Sequence, residues 1–574
     1  MTISKHILKF EVFMLSFALT LLSCGSLKEK VSKSQRPNKV KITIKEKAKD
    51  KWIVKYDLPV AERAVVFHRQ INQFRQKEWK IKTPGLKFKL IDNQECIFSE
   101  DESFDQFEVE FESYFDHTPK DYEFFRKFSD GGRLIYTGHL YVHPVQVKHQ
   151  NLFYVDEEVQ WKQSLYASTP SSPVMKWEDK SLKGTYLFLG KTKPIDSNRV
   201  KAYIDQEIPR WIKNQLNHFF PKLVQYYNLK TGHDLSFKPV LYFDYSKINR
   251  PGTSYSGGTL PGLVQLSIEG RGWHRKNNEN TETITKFFAH EVAHFWNGGM
   301  FNNNDSRAAW LHEGGADAFA FKALLDLGLI SKLRLKQNFE RSYNFCRSDL
   351  NSIPLNMSSK LRRYKNYYHC GAFIWLTLDK VLRNQNSDMY AFWEKLLNKA
   401  KTQNGKYNSE DFHSILKNEF KQKRLSELIF ELEWEERGRS EYWLEQIAKY
   451  AGIKPLSDPE NLPPEFSSKF YQNLISSMMR KDCQGRVDVY GHGSVFKVRG
   501  NETCSILKKE EYVFVGAQGK SFGKGGGQLL REIESICQEK GSLILNYNDG
   551  RESVKLACDS DDSESPQWYR LSGM

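Results

Sequence analysis

Nowhere do the 574 residues carry the unbroken run of about twenty apolar residues that a membrane-spanning helix needs. The nearest approach, Phe10 to Leu22, is interrupted by Glu11. A bundle of membrane helices is therefore excluded, while 39% hydrophobic and 14% aromatic residues suffice for ordinary buried cores. The eight cysteines include no CxxC pair, which argues against a thiolate zinc knuckle. No arginine-rich helix or RNA-binding signature accompanies the formal charge of +15. Residues 1–51 hold 12 Lys and Arg against 4 Asp and Glu, so +8 of the +15 is concentrated there. Nucleic acid is thus not an expected partner.

What is present begins with an export pattern. Lys5 and Lys9 precede the short apolar run, which ends in Leu21-Leu22-Ser23-Cys24. A leucine three before a cysteine, with serine between, resembles the lipobox of bacterial lipoproteins. That resemblance implies a signal peptide over 1–23, lipid attachment at Cys24, and a membrane-anchored protein of the bacterial cell envelope. An ordinary signal peptide or a single anchoring helix is the alternative. Residues 24–51, lysine-rich and polar, are expected to be a flexible basic tether.

Three larger segments follow, as the length leads one to expect. Over 52–190, period-two runs such as FEVEFESYF alternate with Gly, Asp and Pro clusters, predicting an antiparallel β domain. Asp130-Gly131-Gly132 is a hairpin candidate within it. Over 191–455 the period changes: Val200 to Tyr227 predicts a helix, PVLYFDYS a strand, and SGGTLPGLVQLSIEGRG a glycine-bounded strand. Helical spacing continues to about residue 450, with Ser387 and Ser409 as candidate N-caps. Over 456–574, strands, one helix and a hairpin at Asn548-Asp549-Gly550 are expected. The fold class is therefore α+β and multidomain.

Chemistry concentrates in Phe287 to Phe319, FFAHEVAHFWNGGMFNNNDSRAAWLHEGGADAF. His290 and His294, four residues apart on a helix, share one face and can converge on a metal. Glu291 projects beside that position, as a general base for water must. Glu313, nineteen residues after His294, is the candidate third ligand, leaving the open position of a catalytic zinc site. The bland alternative is an amphipathic helix with surface histidines. Phe287, Phe288, Val292, Phe295 and Trp296 argue against it, since apolar flanks put the ionisable groups in a buried setting where they need partners.

HExxH, eighteen intervening residues and Glu in a WLxEG segment resemble the gluzincin metallopeptidases of the aminopeptidase N, leukotriene hydrolase and glycyl aminopeptidase groups. The resemblance implies a thermolysin-like, mostly helical catalytic domain behind a β domain, one Zn2+ ion, and peptide or protein substrates. It also implies a catalytic tyrosine two residues before a KG dipeptide. Tyr368-His369-Cys370-Gly371 supplies Tyr368 in that role, with Cys370 where lysine is usual and Tyr364 and Tyr367 as near competitors. Asp317, one turn after Glu313, is placed to orient a ligand histidine, with a surface acid as the alternative; His312 is expected to line the cleft.

An edge strand before the zinc helix is expected to pair with substrate backbone. The family's amine-binding GxMEN segment is missing, and Glu269 is the only acid nearby. The last segment resembles a PDZ domain in element order, the alternative being an unrelated small β-rich module.

Of the cysteines, Cys483, Cys504, Cys537 and Cys558 are expected to form two disulfides with three pairings open. Cys370 is read as packing. The functional expectation is zinc-dependent hydrolysis of peptide bonds, the alternative being a zinc-containing peptide-binding lipoprotein with little or no turnover.

Overall fold

The structure is a computed structural model. It describes residues 39–574 other than 71–72, 92, 114–121, 149–150, 155–160, 171, 180–181, 351, 459–461, 484–487, 493, 501, 508–510, 524–525, 548–552 and 559–566. The signal peptide, Cys24 and the Asn548-Asp549-Gly550 turn lie outside the described residues. Among those described, no helix is long and apolar enough to cross a membrane.

The N-terminal part is β. A six-stranded sheet runs in the order Ser172–Asp179, Lys162–Thr169, Lys39–Ala48, Lys51–Glu62, Phe104–Glu112 and Lys80–Ile81. Two further sheets of five and three strands complete it. Two expectations need correction here. Residues 39–48, assigned to the tether, form a strand, because Val40, Ile42 and Ile44 alternate with Lys and Thr and bury one face. The sheet is not wholly antiparallel either, since this strand pairs in parallel with Lys162–Thr169. The Asp130 turn does join antiparallel strands, Phe125–Lys127 and Arg133–Tyr136. Gly131 supplies the positive φ of 88° there, and Asp130 Oδ1 accepts a 2.8 Å bond from the Gly132 amide.

The central part packs helices on a five-stranded mixed sheet. Its order is Ile195–Asp196, Lys201–Ile204, Val240–Ser246, Leu263–Glu269 and Ser254–Leu260. The expected helix from Val200 starts only at Arg210, because Lys201–Ile204 is taken up as a strand parallel to Val240–Ser246. Leu263–Glu269, buried on both faces, lies inside the sheet and Ser254–Leu260 forms its edge. The helices Asn278–His294, Trp310–Asp326, Lys332–Leu350 and Lys365–Arg383 share one apolar core with this sheet. Asp388 and Asn408, rather than the serines after or before them, cap the helices Met389–Thr402 and Ser409–Asn418; each accepts backbone N–H bonds through its side chain.

The C-terminal module holds an antiparallel sheet with two helices, Pro464–Asp482 and Gly526–Lys540, where one was expected. Proline at the start and a buried Tyr471, Leu474, Ile475, Met478, Met479 stripe account for the first. The chain then returns. Tyr569–Ser572 pairs with Lys454–Ser457, and Leu571 is buried in the core of the central part, so the final residues do not belong to the C-terminal module.

Candidate metal centre

The helix Asn278–His294 starts with Asn277, whose side chain accepts from the Asn280 amide. Ile284, Phe288, Ala289, Val292 and Ala293 are buried, which fixes its rotation and turns His290 and His294 toward the cleft. Beyond His294 the backbone widens into a π turn over Phe295–Met300. Such turns are frequent at functional sites. Asn297 lies buried within this one.

The structure brings the three predicted ligands together. His290 Nε2 lies 3.1 Å from His294 Nε2, and Glu313 Oε2 lies 3.5 and 3.4 Å from those two nitrogens. The opposite edge of each ring is held by an acceptor. His290 Nδ1 donates to Asp317 Oδ1 at 3.1 Å, and His294 Nδ1 donates to Asn297 Oδ1 at 2.9 Å. Asn297 in turn donates from Nδ2 to the His312 carbonyl at 2.9 Å, which settles its amide orientation.

With both Nδ1 atoms protonated, both Nε2 atoms present lone pairs. Together with the carboxylate they make three acceptors facing one another without a donor. A metal cation satisfies such a set. Zinc bonds of about 2.0–2.1 Å put neighbouring tetrahedral ligands about 3.3 Å apart, and the three observed separations bracket that value. The residues therefore fit the metal their sequence pattern implies.

The charges around the centre are graded. Asp317 would be raised by burial, but Lys286, 3.4 Å away, and His290 hold its carboxyl down at about 2. Burial likewise works against Glu313, yet His294, His290 and His312 keep it well below the usual carboxylate range. Glu291, 7% exposed, differs: its burial outweighs the neighbouring histidines and raises it. A carboxylate moved up in this way is a better proton acceptor near neutral pH. Burial, Glu313 and Glu291 also push the Tyr368 phenol upward, so it stays a hydrogen-bond donor. Its ring stacks on His290 with centroids 5.7 Å apart. Tyr367 is buried and its hydroxyl oxygen accepts from the Ser359 amide at 3.0 Å, while Tyr364 is exposed.

A cavity of about 450 Å3 opens over these groups, and His290, Glu291, His294, Glu313 and Tyr368 line it with His312. Thr259, on the edge strand, was not singled out in the sequence. Its hydroxyl lies 2.6 Å from the Glu291 carbonyl and 3.0 Å from Glu291 Oε2, tying the strand to that residue. The N-terminal β part supplies Arg69, Tyr122 and Lys183 to the same cavity. Tyr122 donates to the Thr259 carbonyl at 2.8 Å. Glu269 lies elsewhere, with Lys247 and Arg250, and does not line the cavity. Among the described lining residues, the acids are Glu291 and Glu313 alone.

Cys370 is not merely packed. It forms a disulfide with Cys346, while Cys483 pairs with Cys504 and Cys537 with Cys558. Cys96 is buried, and its thiol donates to the Gln94 carbonyl at 3.4 Å.

No family model matches the chain, and no curated protein matches it. Among solved structures, an aminopeptidase N family protein from Idiomarina loihiensis superposes with a TM-score of 0.61 at 12% identity, over 93% of this chain and 98% of that one. An M1 zinc metallopeptidase from Deinococcus radiodurans gives 0.41 at 9% identity, over 69% and 92%. A leukotriene A4 hydrolase from Saccharomyces cerevisiae gives 0.42 at 11% identity, over 77% and 72%. Over nearly its whole length, the chain therefore has the fold of an aminopeptidase N family protein.

Proposed function

We propose that the protein is a zinc-dependent metallopeptidase. The observation that carries this is the convergence of three metal acceptors with a buried, raised carboxylate and a phenol in one cavity. A zinc ion held by His290, His294 and Glu313 would supply a Lewis acid that polarises the substrate carbonyl and acidifies water. Glu291 takes the proton of the attacking water as the new C–O bond forms. The same carboxyl then delivers that proton to the leaving nitrogen as the C–N bond breaks. Tyr368 donates its hydroxyl hydrogen to the tetrahedral oxyanion, a contact worth roughly 3 kcal/mol of barrier. Asp317 and Asn297 hold the two imidazoles in the tautomer that presents Nε2.

The edge strand Ser254–Leu260 offers backbone groups to an extended peptide. Because no further acid lines the cavity among the described residues, a free substrate amine has no anionic anchor there. We therefore infer that peptides with blocked N-termini are cleaved.

The test uses pools of blocked and free peptides, with zinc-loaded and chelator-treated protein. Zinc-dependent cleavage of blocked peptides is expected. Bound zinc with no turnover of any pool would overturn the peptidase assignment and leave a binding protein. We also propose export and lipid anchoring at Cys24, on the strength of the lipobox-like sequence; labelled palmitate that fails to enter the protein in a bacterial host rejects that. The C-terminal module is proposed to be PDZ-like on its order of strands, helix and hairpin.

A further inference from the structure

Tyr368 sits in the first turn of the helix Lys365–Arg383, which is fixed on two sides. On one side, Gly371 crosses the helix Trp310–Asp326 at Gly314, the residue after the ligand Glu313. A Cβ added to either glycine would overlap the backbone of the other helix, so the two meet backbone to backbone. Such a contact sets the distance between the helices. One and two turns further on, Trp375 Nε1 donates to the Leu311 carbonyl at 3.0 Å and Asp379 meets Lys322 at 3.1 Å, which holds the later part of the helix.

On the other side, Cys370 lies between Tyr368 and Gly371 in sequence and is bonded to Cys346 of the helix Lys332–Leu350. Both cysteines are fully buried. His369 and Phe345 stack beside this bond with centroids 5.0 Å apart, a contact that tolerates sliding. Among the described residues the bridge is the one covalent tie between this helix and a neighbour, and it lies two positions from Tyr368. A phenol oxygen stands about 8 Å from its helix axis, so a rotation of about 10° displaces it on the order of 1.5 Å. A displacement of about 1 Å at a reacting centre costs roughly a hundredfold in rate.

We propose that the Cys346–Cys370 disulfide is a positioning pair that holds the Tyr368 hydroxyl at the oxyanion site. The inference rests on the peptidase function for the role of Tyr368, and it says what fixes that group. Without the bridge the helix still folds, the three ligands still bind zinc, and the oxyanion loses its donor.

The experiment compares wild type, the pair Cys346→Ala with Cys370→Ala, Tyr368→Phe, and all three substitutions together. Readouts are zinc content, kcat, KM, and calorimetric affinity for a non-hydrolysable phosphinic peptide whose tetrahedral oxygen mimics the oxyanion. Removing the bridge is expected to lower kcat about 30- to 100-fold, with KM within threefold and zinc unchanged. In the Tyr368→Phe background the same removal should cost less than about threefold, because the two changes strike one interaction.

Equal losses in both backgrounds, or no loss in either, would overturn the proposal. If wild type turns over no peptide, the peptidase assignment fails, and the phosphinic peptide decides the inference alone: bridge removal and Tyr368→Phe must weaken its binding alike. Should the alanine pair fail to fold, Cys346→Val with Cys370→Ala refills the lost volume and carries the same expectations.

Discussion

Glu291 reaches the cleft from a helix whose other face is apolar, and its partners there are the Thr259 hydroxyl and the paired imidazoles. It touches no predicted ligand position itself, so chemistry and metal binding separate at this residue. Glu291→Gln is expected to keep its zinc while kcat falls about 10²- to 10⁴-fold. Cleavage at the parental rate would remove Glu291 from its role. Asn297 acts through His294. Replacing it by alanine leaves the His294 Nδ1–H without its acceptor and should weaken zinc about 10- to 100-fold in competition with a chelator. Unchanged affinity would mean that the π turn, not the amide, sets the ring.

Helix crossings carry a different kind of constraint. Gly314→Ala puts a Cβ into the Gly371 backbone, which cannot swing aside as a side chain can. The expected cost is about 1–3 kcal/mol or more of stability, read from urea midpoints. A neutral result would show that the two helices are free to separate. Nearby, Asp379 joins Lys322 at 3.1 Å across the same pair of helices, and Arg383 at 2.8 Å one turn on within its own helix. Burial raises its carboxyl, but Arg383 and Lys322 outweigh that and bring it below the ordinary value. The sign follows: a depressed carboxyl contributes stability above its unfolded pKa of about 3.9 and loses it as pH falls through the folded value. Asp379→Asn should therefore cost about 3–5 kcal/mol at neutral pH, since Lys322 is left buried without its partner. The gap between variant and wild type should close below about pH 4. A gap that stayed constant with pH would discount the ion pair.

These elements also show what a sequence can disclose. His290, Glu291 and His294 were legible because their spacing is local and a single helix sets their geometry. Glu313 and Tyr368 followed from motifs. Asn297 was hidden by a π turn, which breaks the 3.6-residue period that motif reasoning assumes. Thr259 and the Cys346–Cys370 bridge were hidden because their partners are brought close only by tertiary packing. The strand Lys39–Ala48 was overlooked since its exposed lysines dominate the composition while alternate positions carry Val40, Ile42 and Ile44.

At the scale of the molecule, the cleft is shared property. Asp205 of the central part accepts from Ser129 of the β part through the Ser129 amide at 2.7 Å and through its hydroxyl. Tyr122 bridges the same boundary to Thr259. The C-terminal end closes another boundary. Asn344 accepts from the Tyr569 amide and donates to the Tyr569 carbonyl, both at 2.8 Å, and Glu340 accepts from the Leu571 amide at 3.0 Å. Leu571→Ala should cost about 2–5 kcal/mol, measured as unfolding of the central part, although the residue is over a hundred positions from any other part of that core's sequence. A loss confined to the C-terminal module would contradict its assignment to this core.

Those last contacts join positions far apart in the chain. A nascent chain that has not yet yielded Leu571 leaves one face of the helix Lys332–Leu350 open, and that helix is the one to which Cys346 tethers the carrier of Tyr368. The packing of that helix is thus completed by residues 225 and 231 positions downstream of their partners Asn344 and Glu340, which puts its stability under the control of the strand Tyr569–Ser572.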